Sequence, residues 1–445
     1  MNFTNSLLFA RKKLEQLNQY ISLLPFIYVA ALLLLYFLFY FLGIVTQLPY
    51  ADRLVGFDAV IYNSIREKGY DYQWYTGNNA GFFPLFPYVW RWLCLGTKGI
   101  CLLNFLCFCT GLALLIKEFK PAPILVLCFI SVPSAIFRFL PFTESFFFLF
   151  CSIFLVGLSK NKPWLIITGL LLSSLTRPTA MFFIPAIIAA EVFYDERFFS
   201  WKAIKNILCY SAASLTGLFT VVLIQYYQTY EWFAFAKLQT KYWRHHFSLP
   251  QLPFTTNGGD KLLWLDGLAF FVSILATSIL LFYFIKYCFR KTTSLHKNRA
   301  FWFSCTYLFM VLLYTIFFDP KAPHGGTELN SMNRYVFTTS FFLVFCFVAN
   351  TYFSFSYKNF LSYLGVAFLV WILLGFGRPL AFLSEMFQSQ HKTTVFFTYL
   401  TLYVMAYFFV FKSKYQGYFS IILICFNIML SAYVFNLYLN GKWVA

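Results

Sequence analysis

The chain has 445 residues, of which 60% are hydrophobic, 23% aromatic and only 11% charged, with a mean hydropathy of +0.68. Such a composition excludes a water-soluble globular or disordered protein and marks an integral membrane protein. The formal net charge of +18 does not point to nucleic acid, because the basic residues are scattered through short loops between apolar runs, the positive-inside pattern.

Apolar runs of about 20 residues, long enough to cross a hydrocarbon core, recur from end to end and leave no room for a soluble domain. They predict an all-α, multi-pass membrane protein of about 13 spans. The spans fall near 25–46, 98–117, 122–140, 142–158, 163–176, 178–193, 206–228, 262–286, 301–318, 335–350, 359–377, 393–411 and 417–438. The first run is longer than a signal-peptide core and lacks a small-residue cleavage site, which makes it a retained span. Placing Arg11-Lys12-Lys13 in the cytoplasm puts more than half of the 34 basic residues on that side, but under a third of the 16 acidic ones. The carboxylates, and with them the expected chemistry, lie on the outer face. No repeat or linker divides the chain, so residues 1–445 read as one membrane domain.

Three outward segments are long enough to hold a site: 47–98, 229–261 and 319–334. The first opens with GFDAVIYNSIREKGY (56–70), read as a short helix from Asp58 to Lys68 that Gly69 stops. Asp58, Ile61, Tyr62 and Ile65 share one face, with Asn63, Arg66 and Glu67 largely on the other. Asp58 is at once a natural N-cap and a candidate general base at the water-lipid boundary. Next comes GFFPLFPYVWRWL (81–93), a Pro-aromatic pattern that suits an interfacial helix. SAIFRFLPFTESFFFLF (134–150) then sets Arg138 and Glu144 on either side of Pro141. The bland reading of that pair is a structural ion bridge; charges at membrane depth also mark functional cavities.

SSLTRPTAMFFIPA (173–186) puts Arg177-Pro178 between two stretches too short for full crossings, and irregular backbone at that depth belongs beside a cavity. The outer side also carries Lys241, Arg244, His245, His246, Lys321, His324 and Arg334. Most loop charges are simply solvated, but Arg177 beside a helix break and Arg334 at the start of a span are placed to hold a phosphate. The eleven cysteines lie mostly in apolar runs, and neither they nor His245-His246 have the spacing of a metal site. No Gly-rich phosphate loop or Asp-x-Asp pattern is present, so a cytosolic nucleotide donor is not expected.

The order FDAVIYNSIREKGY, FFPLFP, PFTESFFFLF, SSLTRPTAMFFIPA and a late NRYVF resembles the enzyme family that adds the second mannose to glycosylphosphatidylinositol anchors, with its bacterial relatives. That family belongs to the GT-C superfamily of multi-span glycosyltransferases. The match is close over 1–190, a GT-C-like catalytic module, and loose over 191–445, a variable transmembrane module. The resemblance implies an inverting transfer of a sugar, usually mannose, from a polyprenyl-phosphate donor to a hydroxyl of a lipid or glycan acceptor. It maps the family's loop acid onto Asp58, its Ser-Glu turn onto Glu144 and Ser145, and its basic residue onto Arg177. The family's usual Trp-Asp and following His here read Phe57-Asp58 and Tyr62, and its Arg-Ser-Asn reads Arg177-Pro178-Thr179.

Combined, these readings make Asp58 the base and Arg177, Arg334 and Arg138 the donor-phosphate ligands. Tyr62, Glu144, Ser145 and His324 become pocket or acceptor residues, and no metal or other cofactor is required. Compact loops favour a bacterial inner membrane, with the endoplasmic reticulum as the alternative, a cytoplasmic N-terminus and an extracytoplasmic site. A transporter or lipid flippase is the competing function, since a broken helix at a cation also suits transport. A scaffold without a site leaves the loop acids and the Arg177 break unexplained.

Overall fold

The computed structural model describes residues 23–72, 79–195, 200–252, 254–255, 260–289, 294–318, 326–352, 361, 365–366, 369, 373 and 416–444. Its first helices are α1 (Leu24–Phe41), α2 (Ala51–Leu54), α3 (Asp58–Lys68), α4 (Leu85–Trp92), α5 (Thr97–Phe119), α6 (Pro123–Ile130), α7 (Glu144–Lys160) and α8 (Pro163–Ser174). They continue as α9 (Phe183–Tyr194), α10 (Trp201–Thr229), α11 (Ala234–Lys241), α12 (Asp260–Cys288), α13 (Arg299–Phe318), α14 (Met332–Phe337), α15 (Ser340–Tyr352) and α16 (Gln416–Leu439). Two-residue strands β1 (Phe254–Thr255) and β2 (Thr327–Glu328) pair in parallel, with Phe254 against Thr327.

Among the described residues, six helices are long and apolar enough to cross a membrane: α1, α5, α10, the Leu265–Cys288 part of α12, α13 and the Ser420–Leu439 part of α16. The chain is therefore a helical, membrane-embedded protein. The expected span at 393–411, and that at 359–377 apart from residues 361, 365–366, 369 and 373, lie outside the described residues. Each of the others coincides with helical segments, but three are interrupted. The 122–140 run is the eight-residue α6 followed by a 3-10 turn over Pro133–Arg138. The runs at 163–176 and 178–193 are α8 and α9, of 12 residues each, separated by a 3-10 turn over Pro178–Phe182. Pro178 cannot donate to the helix ladder and drives Arg177 into an extended conformation (φ −146°, ψ 145°). The 335–350 run divides into α14 and α15.

Lipid is as apolar as these side chains, so shape and polar contacts, more than exclusion of water, decide which helices meet. Glycines supply close approach: a Cβ on Gly169 of α8 would lie 2.7 Å from the backbone nitrogen of Phe154 in α7, and one on Gly217 of α10 2.7 Å from the carbonyl oxygen of Leu171 in α8. Ser174 and Ser214 hydroxyls meet at 2.9 Å across the same α8 and α10 contact. Deeper in, Phe154, Phe183, Phe303 and Phe341 join α7, α9, α13 and α15, with ring centroids 4.8 to 5.9 Å apart.

Because backbone, not a flexible side-chain tip, faces Gly169, Gly169→Ala is expected to cost about 1–3 kcal/mol by overpacking. Gly96, the α5 N-cap with open space around it, should accept alanine at about 1 kcal/mol or less. Thermal unfolding of the two variants in detergent checks the difference.

Candidate active site

α3 begins at Asp58 as the sequence predicts, but the cap reading fails. Phe57 is the N-cap, in a positive-φ conformation (φ 51°), and no side chain caps the helix. The Asp58 carboxylate points instead to Arg334, whose Nη1 donates to Asp58 Oδ2 at 2.9 Å. Ala59, Tyr62 and Ile65 form the buried face of α3, and Asn63 bonds Glu67 at 3.0 Å on the exposed one. Gly69 stops the helix at φ 82°, where a Cβ would meet Gln228 Oε1 at 2.6 Å. Tyr438 on α16 fixes the approach to α3: its hydroxyl donates to the Leu54 carbonyl at 2.9 Å and accepts from the Gly56 N–H at 3.1 Å.

Arg334 spans two carboxylates. Its Nε and Nη2 donate to Glu144 Oε1 at 2.9 and 2.6 Å while Nη1 holds Asp58. Arg177 Nη1 approaches the same Glu144 oxygen at 3.0 Å. Glu144 is fully buried at the first turn of α7, so two guanidinium groups converge on a carboxylate that water does not reach. The four charges sum to zero, which is what makes the cluster tolerable at this depth. Although burial opposes the charge on Arg334, the Glu144 and Asp58 carboxylates hold its pKa above the usual guanidinium value. Burial, then the neighbouring Asp58 charge, pushes up the Tyr62 phenol, whose oxygen lies 3.2 Å from Thr143 Oγ1.

The six-residue α14 that carries Arg334 is locked from two sides. Asp266 of α12 accepts through Oδ1 from the backbone N–H of Asn333 at 2.9 Å and from its Nδ2 at 2.7 Å, and Ser134 Oγ donates to Asn333 Oδ1 at 2.8 Å. Arg138 bonds the carbonyls of Phe337 and Thr338 at the C-terminal end of α14, where a cation opposes the helix dipole. Its guanidinium lies over Phe108, 4.7 Å from the ring centroid.

This arrangement corrects several expectations. Arg138 neither pairs with Glu144 nor reaches a ligand space; it is fully buried and spent on backbone carbonyls. Ser145, also fully buried, donates to the Arg138 carbonyl at 2.5 Å. Glu144 anchors Arg334 and Arg177 beneath the cavity wall and does not line it. His324 lies outside the described residues. Asp58, Tyr62, Arg177 and Arg334 do come together, on one wall of a cavity of about 1500 Å³. Sequence reasoning missed Asp266, Asn333, Tyr438 and the cavity-lining Trp243 and Trp443. A lone acid in an apolar run, at Asp266, was the available signal for the first.

The remaining cavity wall is largely apolar and includes Met181, Leu215 and Phe219, which are 46%, 49% and 53% exposed. Leu215 and Phe219 belong to α10, one of the helices long and apolar enough to cross a membrane, so this helix supplies an apolar side to the cavity. His245 stands on the wall with Nδ1 3.0 Å from the Phe318 carbonyl oxygen. The site therefore offers a carboxylate whose Oδ1 makes no hydrogen bond among the described residues, two adjacent cations and a greasy channel. Among those residues, no three His, Cys, Asp or Glu side chains converge as metal ligands do.

Glu144→Gln leaves two buried guanidinium groups facing each other and should destabilise the fold by about 3–5 kcal/mol. Asp58→Asn keeps Arg334 doubly bonded to Glu144 and should cost about 1–2 kcal/mol. Denaturant titration in detergent is the check, and equal losses would contradict the assignment of Glu144 as the anchor.

No protein-family model matches the chain, and no curated protein or solved structure matches it.

Proposed function

We infer that the protein is a membrane glycosyltransferase of GT-C type, which moves a sugar, mannose by the resemblance, from a polyprenyl-phosphate donor to a hydroxyl of a lipid or glycan. The observation that carries this reading is the joining of Asp58 and Arg177 to a largely apolar wall, part of it from the membrane-length helix α10, in one cavity. A lipid-linked sugar phosphate needs all three. The prenyl chain lies along the α10 wall, its phosphate faces Arg177, and the sugar sits against Asp58 and Tyr62.

In the inverting step, the acceptor oxygen attacks the anomeric carbon from the face opposite the phosphate, and its proton passes to Asp58 Oδ1. The bond from the anomeric carbon to the phosphate oxygen breaks with its electron pair, and polyprenyl phosphate leaves beside Arg177. Phosphate is a good leaving group, so orientation and charge stabilisation supply most of the rate. Arg334 orients the Asp58 carboxylate through Nη1 and, with its other nitrogens on Glu144, is a positioning residue more than a phosphate ligand.

This reading retains a GT-C-like bundle of about 13 spans, a cytoplasmic N-terminus and an extracytoplasmic site in a bacterial inner membrane. The transporter alternative expects polar groups near the bilayer midplane. Here the charged cluster joins the start of α7 and the break after α8 to Asp58 of the first expected outward segment, an arrangement that supports the enzyme reading.

Purified protein supplied with polyprenyl-phosphate mannose and candidate acceptors should give a product of inverted anomeric configuration, unaffected by a chelator. Asp58→Asn should lower the rate about 10²–10⁴-fold, and Arg177→Gln about 10²–10³-fold. Full transfer by folded Asp58→Asn protein would overturn the assignment of the base.

A further inference from the structure

The long 229–261 segment contributes one side of α11 to the cavity that holds Asp58. Ala236, Gln239, Thr240 and Trp243 line it, a spacing of three and four residues that keeps one helical face toward the cavity. The other face, Ala234, Phe235 and Leu238, is buried, and Phe235 meets Phe83 edge to face at 5.3 Å. Gln225 of α10 ties this helix to the turn before α4: its Nε2 donates to the Ala80 carbonyl at 2.7 Å, and its Oε1 accepts from the Phe235 N–H at 3.3 Å. The α11 wall is thus fixed by the fold itself.

Trp243 follows the last turn of α11, where its N–H reaches the Leu238 carbonyl at 3.1 Å. Its indole lies against Gly81, where a Cβ would collide with Cζ3 and Cη2, so the missing side chain at 81 makes room for the ring. Phe82 stands edge to face with Trp243 at 6.0 Å and with Tyr62 at 5.1 Å. Trp243 is therefore one aromatic ring removed from Tyr62, against which the transferred sugar is placed. One turn back, the Gln239 side-chain amide makes no hydrogen bond among the described residues. Ser331, the N-cap of α14, lines the same cavity, and its hydroxyl is likewise unbonded there. A few free polar groups on a largely apolar wall are what fixes the orientation of a bound small molecule.

We propose that Trp243 and Gln239 form the acceptor subsite and that it takes a pyranose, with the indole stacked on the C–H face of the ring and the amide paired with its hydroxyls. The inference rests on the glycosyl-transfer reading for the role of that sugar, and it narrows the acceptor to one that carries a sugar. The face of an indole is electron-rich and attracts the polarised C–H groups on one side of a pyranose, while an amide offers both a donor and an acceptor to neighbouring hydroxyls. An acylglycerol hydroxyl offers one such contact and no ring. Neither residue touches the Asp58, Glu144, Arg177 and Arg334 cluster, so both can be changed with that cluster in place.

Native mass spectrometry of the full chain in detergent measures the affinity for dioctanoylglycerol carrying one α-mannosyl residue and for dioctanoylglycerol itself. The wild type should bind the mannosylated lipid about tenfold or more tightly. Trp243→Ala should bring the two affinities to within about threefold, Gln239→Ala should lose part of the preference, and Trp243→Tyr, which keeps an aromatic face, should retain most of it. The inference is overturned if Trp243→Ala and Gln239→Ala, each with wild-type elution and unfolding, keep the full preference, or if the wild type binds both lipids equally. Gln239→Ala alone serves the same comparison if Trp243→Ala does not fold. Transfer from polyprenyl-phosphate mannose, followed in parallel, separates the two levels. A Trp243-dependent preference in protein that transfers mannose to no acceptor would uphold the pyranose site while the enzyme reading falls. Transfer together with a preference indifferent to both residues would overturn the subsite alone.

Discussion

Arg334 carries one positive charge and meets two carboxylates, and the geometry of the candidate site's wall follows from that contact. Glu144 takes two of its nitrogens, Asp58 takes the third, and Arg177 approaches Glu144 from the other side. In a medium of low polarity each of these ions alone would be costly by several kcal/mol. Together they are neutral, and each fixes the direction of the next. The cluster ties α3, α7, the break after α8 and α14 to one point, linking positions 58, 144, 177 and 334.

Holding such a cluster requires backbone that is not free to slide. α14 is six residues long, too short to be stable alone, and its position comes from outside: Asp266 and Ser134 on Asn333, Arg138 on its last carbonyls. Buried polar groups paired to distant helices restrict the arrangements a bundle can adopt. The helix breaks at Pro133 and Pro178 have the same logic. Each ends an apolar helix early, and the irregular backbone and polar side chains that follow sit against protein or a cavity.

Much of this was legible in the chain itself. Run lengths gave the helical membrane class, Pro178 gave the break, and the Asp58 to Gly69 spacing gave α3 with its boundaries. Asp58 and Tyr62 were singled out on one face of an interfacial helix, Arg177 at a helix break and Arg334 at the start of a span, and the fold brings them to one cavity. Pairing was not legible. Arg138 and Glu144 are six residues apart, which invites an ion bridge, yet the partner of Glu144 is 190 residues away and Arg138 faces backbone carbonyls. Local spacing carries no information about which distant helix supplies a counter-ion. For the same reason Asp266 and Tyr438, from α12 and α16, could not be assigned to the site before the bundle was seen.

The cavity over this cluster combines a carboxylate and cations with a largely apolar wall. The central claim concerns this cavity, and the most direct measurement is an experimental structure of the Asp58→Asn protein in a lipid nanodisc with polyprenyl-phosphate mannose. The account predicts the phosphate within hydrogen-bonding distance of Arg177, the anomeric carbon facing residue 58, and the prenyl chain leaving along Leu215 and Phe219. A sugar phosphate bound elsewhere, with this cavity holding only lipid tails, would contradict it.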